Sequence, residues 1–139
     1  MATIGPIALK VNLKGHEANV DVKYDIEFDQ YDQMSNQAYA EVCRLVGVDT
    51  GVGDPPEAGD DDTLGFLTPL FFRNTRANGS PSVSRHFQKT FAKADLDEDR
   101  GPIPNPDELR AVVTLAPVGP TVPTAASRES NLVKKNITT

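Results

Sequence analysis

The chain has 139 residues, 38% of them hydrophobic and 24% charged. That is enough apolar material for one cored domain and argues against wholesale disorder. Its 14 Lys and Arg against 20 Asp and Glu leave a net charge of −6 at pH 7, which disfavours nucleic acid and anionic membrane surfaces as partners.

The only adjacent basic pair is Lys134-Lys135. A lone cysteine, Cys43, forbids an internal disulfide and any cysteine-rich metal site. No apolar run approaches the ~20 residues that cross a bilayer. The segment from Met1 to Pro6 lacks the charged start and apolar stretch of a signal peptide. A cytoplasmic protein is the default expectation, although a mature secreted chain would look the same.

The first predicted strand is Ile7 to Leu13, with Ile7, Leu9, Val11 and Leu13 on one side. After Gly15 a stronger alternation follows. Val20, Val22, Tyr24, Ile26 and Phe28 face one way and Asp21, Lys23, Asp25, Glu27 and Asp29 the other, the period of a strand with one buried face. The polar stretch 29–37 reads as a loop. Residues 38–48 admit two readings. As a strand the segment is apolar on both faces; as a helix near 36–47 it has Ser35 as N-cap and Gly47 as stop. Val and Tyr favour the strand.

Residues 49–65 read as a long acidic loop. Phe66 to Phe72 is an apolar run broken by Pro69, which suits an edge strand, and Thr75 to Pro81 has turn chemistry. Val83 to Phe91 alternates again. A second acidic loop spans 95–108, where Asn105-Pro-Asp-Glu resembles a helix start good for at most one turn. A strand is expected over 109–116, then a Pro-, Thr- and Ala-rich connection over 117–127. Residues 131–137 form a last strand or a mobile tail.

About seven strands punctuated by turn residues predict an all-β fold, an antiparallel two-sheet β-sandwich with the layout of immunoglobulin or fibronectin type III domains. The Cys–Trp–Cys core of immunoglobulin domains is missing, since the chain has no Trp. If 36–47 were a helix, the fold would be α+β. The expected organisation is one sandwich domain over 1–129 and a C-terminal strand or arm over 130–139, which either completes its own sheet or adds to a neighbour's edge.

Strands laid up and down in order bring the two acidic loops to one end. Together they carry Asp49, Asp54, Glu57, Asp60, Asp61, Asp62, Asp95, Asp97, Glu98, Asp99, Asp107 and Glu108. Hard carboxylate oxygens at this density suit Ca²⁺, and Asp60, Asp61, Asp62, Asp95, Asp97 and Asp99 are the candidate ligands. The bland alternative is a solvated acidic surface. Asp95, Asp97 and Asp99 match the opening of an EF-hand loop, but Arg100 stands where Gly is required and Pro106 where Glu is required.

Other chemistry finds little support. His16 and His86 read as surface histidines, and Cys43 as a packed thiol. A blue-copper site needs a closely spaced Cys, His and Met near the carboxyl end. A sugar cleft needs aromatic platforms, and Gly47 to Gly53 lacks the Lys of a phosphate loop. Asn78-Gly-Ser and Asn136-Ile-Thr match glycosylation sequons, which mean little without a secretory signal. The expected function is a non-enzymatic module that binds a protein partner or associates with itself through sheet edges, with no resident cofactor. A calcium-binding module is the second expectation and a hydrolase the third.

Overall fold

The computed structural model describes residues 1–47, 62–96, 107–119, 125–135 and 137. Among the described residues there are ten strands: β1 (Thr3–Ile4), β2 (Ala8–Lys14), β3 (Glu17–Glu27), β4 (Ala38–Gly47), β5 (Asp62–Phe66), β6 (Arg73–Thr75), β7 (Ser82–Ala92), β8 (Asp107–Val118), β9 (Ala126–Glu129) and β10 (Val133–Lys135). Two short helices, α1 (Gln30–Ser35) and α2 (Lys93–Leu96), and a 3₁₀ turn at Pro69–Phe71 complete the described elements.

All strand pairings are antiparallel, and the ten strands assemble into seven rows. β1 and β2 lie end to end along one side of β3, their registers differing by one residue across Gly5-Pro6. β5 and β6 likewise share one side of β4, and β9 and β10 share one side of β8. The first sheet is therefore β1/β2–β3–β7, and the second is β5/β6–β4–β8–β9/β10. The seven rows account for the expected number of strands. An immunoglobulin constant-type arrangement keeps the fourth row in the first sheet. Here that row, β5/β6, pairs with β4 in the second.

The core fills the space between the sheets. From β3 it takes Val20, Val22, Tyr24 and Ile26, with Phe28 just past its end, the alternating face visible in the sequence, and from β2 it takes Leu9 and Val11. From the second sheet come Tyr39, Cys43 and Leu45 of β4 and Leu109, Ala111, Val113 and Leu115 of β8. Each large aliphatic among these contributes about 1.5–3 kcal/mol by leaving water.

β4 is a strand, so the helical reading of 36–47 does not hold. Its outer face also carries apolar residues, and Val46 packs with Val112 under Leu132. That explains why the segment is apolar on both sides. The stretch 29–37, read as a loop, contains α1. Asp29 caps it reciprocally with Asp32, and Asn36 closes it in the left-handed conformation at φ 54°.

The expected edge strand over Phe66–Phe72 is replaced by the end of β5 at Phe66 and the 3₁₀ turn at Pro69–Phe71, and β6 starts only at Arg73. Phe71 stands at φ 74°, a conformation rare for bulky side chains, with its ring edge-on to Phe66 at 5.1 Å. β9 lies partly in the stretch read as a connection. The expected helix start at Asn105 lies outside the described residues.

Candidate functional site

The strand ends flanking the two acidic segments are neighbours. Gly47, where β4 ends, pairs with Asp62 on one side and with Leu109 on the other, and Asp107 pairs with Lys135. Of the candidate calcium ligands, Asp62 opens β5 and Asp95 lies exposed in α2. Asp60, Asp61, Asp97 and Asp99 lie outside the described residues. Among the described residues no three metal-ligating side chains come together.

The interior holds a polar cluster. Glu41, fully buried on β4, accepts a hydrogen bond from Tyr24 Oη at 2.5 Å and one from Thr75 Oγ1 at 2.6 Å. Arg85 of β7 reaches across the sandwich, its Nε 3.0 Å from Oε1 and 3.2 Å from Oε2, while its NH2 donates to Thr75 at 3.2 Å. Burial, with the Glu41 charge beside it, pushes the Tyr24 hydroxyl far above its ordinary range. The same two causes, burial first, raise the Cys43 thiol to about 12, so Cys43 is a protonated, packed thiol. A fully buried carboxylate with both oxygens engaged ties β4 to β3, β6 and β7 and so links the two sheets.

A second buried carboxylate, Asp32 of α1, accepts from Tyr39 Oη at 2.6 Å and lies 3.2 Å from the amino group of Met1.

The four lateral edges differ. The β1/β2 edge is covered from the second sheet. Asn131 accepts from Leu9 N at 2.8 Å and donates to Leu9 O at 3.1 Å, and Arg128 donates to Ile4 O at 3.0 Å. The edges β5/β6 and β9/β10 are each broken into short pieces, which limits strand addition. β7 alone runs unbroken for 11 residues.

The ladder between β3 and β7 keeps one register from Glu17↔Ala92 to Glu27↔Ser82. Beyond its two ends, Phe28 N donates to Pro81 O and Lys93 N to His16 O. Hydrogen-bonded pairs alternate along an antiparallel ladder. The odd-numbered residues of β7 therefore bond β3, and Ser84, His86, Gln88 and Thr90 direct their N–H and C=O groups outward. No described backbone group meets them.

The outer face of the first sheet is polar and laced across β3 and β7. His86 Nε2 lies 2.7 Å from Asp21, Gln88 donates to Asp21 at 3.0 Å, Ser84 to Asp25 at 2.7 Å, and Thr90 to Asn19 at 2.9 Å. The His86 contact holds the Asp21 carboxyl below its usual range. Two shallow depressions of about 400 and 420 Å³ lie here, lined by Asn12, Asn19 and Thr90 and by Lys23, Ser84 and His86. Both histidines are exposed, as the sequence suggests. Sequence reasoning missed Glu41, whose signal is a lone carboxylate inside an apolar strand. It also left unread which edge stays open, because that depends on long-range pairing. Compared with family models, with curated proteins and with solved structures, the chain matches none.

Proposed function

We propose that this domain is a non-enzymatic binding module of immunoglobulin-like sandwich type that receives an extended strand of a partner protein along β7. The observation that carries the reading is the unbroken β7 edge, with alternate backbone groups turned outward, beside three edges that are broken or covered. Main-chain hydrogen bonds to such an edge supply affinity, and the alternating side chains beside it supply selectivity. The fold type is supported by the strand order, which differs from the constant-type arrangement by the placement of one row.

The test is a selection from a random peptide library with the parent and a Gln88→Pro variant as baits. Position 88 turns its N–H outward, so proline there removes no backbone bond to β3, losing only the side-chain bond from Gln88 to Asp21, but blocks an incoming strand. Peptides enriched by the parent and lost with the folded variant support the reading; equal enrichment refutes it.

A calcium-binding module is the second reading. It is favoured by the pairing of Gly47 with both Asp62 and Leu109, which sets both flanks of the first acidic segment beside the strand that follows the second. Thermal unfolding in EDTA and in about 10 mM CaCl₂ tests it. A site of ~10⁻⁴–10⁻³ M affinity raises Tm by roughly 3–15 °C, and Asp97→Asn removes that shift. An unchanged Tm returns the segments to solvated surface.

A further inference from the structure

We infer that the strand received by β7 is acidic: an extended segment of another protein carrying Asp or Glu at alternate positions. This rests on the reading of β7 as a binding edge and adds the partner's chemistry. All 20 carboxylates of the chain lie outside residues 63–94, a stretch that contains Arg73, Arg76, Arg85, Lys89 and Lys93.

The fold gathers that stretch on one lateral side of the sandwich. Lys89 Nζ donates to Phe66 O of β5 at 2.9 Å, and Arg85 NH2 to Thr75 Oγ1 of β6 at 3.2 Å, so the β5/β6 edge and the β7 edge lie together. Arg85 is committed to Glu41 and Arg76 donates to Asn36 O. Arg73, Lys89 and Lys93 have no carboxylate partner among the described residues. A protein of net charge −6 thus presents a cationic strip beside its open edge.

The same charges argue against a second copy at this edge. Antiparallel self-pairing of β7 about Phe87 sets Arg85 opposite Lys89, and like charges directly opposite destabilise a ladder. A nucleic acid can neutralise the strip, but phosphate oxygens only accept hydrogen bonds. The outward groups of Ser84, His86, Gln88 and Thr90 both donate and accept, and another strand satisfies both.

The experiment titrates the ¹⁵N-labelled full chain with Glu-Val, Thr-Val and Lys-Val repeat peptides and with oligo(dT), following amide shifts. The Glu-Val peptide is expected to bind tightest and to shift the amides of Ser84, His86, Gln88 and Thr90. Binding is lost in Gln88→Pro and falls about tenfold when Arg73→Ala, Lys89→Ala and Lys93→Ala are combined. Melting curves check that both variants remain folded. Equal binding of Glu-Val and Thr-Val peptides, with both blocked by Gln88→Pro, keeps the binding edge and overturns the acidic preference. No Glu-Val binding, or binding indifferent to Gln88→Pro, overturns both. Oligo(dT) moving the same amides as strongly as Glu-Val overturns the acidic strand in favour of a general polyanion site.

Discussion

Glu41 and Arg85 meet between the two sheets, with Arg85 Nε 3.0 Å from Oε1 and 3.2 Å from Oε2, the carboxylate fully buried and the guanidinium nearly so. Breaking such a pair leaves one charge without its partner in a low-dielectric interior, whereas removing both charges relieves that penalty. Arg85→Met is expected to cost about 3–5 kcal/mol in urea unfolding. The double variant Glu41→Leu/Arg85→Met should cost less than the single one, although it leaves the hydroxyls of Tyr24 and Thr75 without their acceptor. A double variant as unstable as the sum of the two single changes would show that the pair does not act as a unit.

Alkali should unfold the protein through its buried acids. Tyr39 is raised to about 12 by burial and its bond to Asp32, Tyr24 is raised further by burial and Glu41, and Cys43 is raised to about 12. In the unfolded chain a cysteine loses its proton near 9.0 and tyrosines near 10.0. The folded state holds these protons longer, so above those values unfolding releases protons and stability falls as pH rises. Each group adds a slope of about 1.4 kcal/mol per pH unit, and the slopes of Tyr39 and Cys43 end near pH 12. Stability measured from pH 8 to 12 should bend downward near 9 and again near 10, and Tyr39→Phe should soften the second bend. A flat profile would contradict the burial of these groups.

What was legible in the sequence is what each strand carries on its own faces. β3 reads cleanly because it is the middle row of a sheet with one wet side, so Val20 to Ile26 alternate with charged residues along its length. β4 is ambiguous because both of its faces pack, a consequence of Leu132 arriving from far along the chain over Val46. α1 hides because six residues are too few for an apolar period, and its capping box uses Asp32 in the place of the usual Glu or Gln. β1, β6 and β9 are edge pieces of two to four residues whose pairing comes from a neighbour rather than from their own pattern. The buried Glu41 cluster draws on four strands, and no window of sequence contains it.

Asn131 substitutes for a strand at the β1/β2 edge. Its side-chain amide bonds both backbone groups of Leu9 across 122 residues of chain. Asn131→Ala should therefore cost about 1–2 kcal/mol and uncover the backbone of β2. Removing residues 130–139 should cost more, because β10 and the buried Ile137 are lost as well. Sedimentation of Asn131→Ala is expected to show concentration-dependent association through the uncovered edge. A variant that is destabilised yet strictly monomeric would mean that Asn131 ties the sheets together without guarding the edge.

Gly65 sets how closely β5 approaches β7. A methyl group at this position would overlap Phe91 Cε1 and lie 3.1 Å from Cζ, and Phe91 is itself a buried member of the core. Gly65→Ala is expected to destabilise by about 1–3 kcal/mol through overpacking, with Phe91→Leu in the same chain recovering part of that loss. Lys89 Nζ sits 5.2 Å from the centre of the Phe91 ring and donates to Phe66 O. A displaced ring therefore moves the lysine that borders the open edge. Gly65→Ala should weaken Glu-Val peptide binding along with stability, and Gly65→Ala/Phe91→Leu should restore stability more fully than binding. Parallel recovery of both would show that the ring positions the fold alone and leaves the edge as it was.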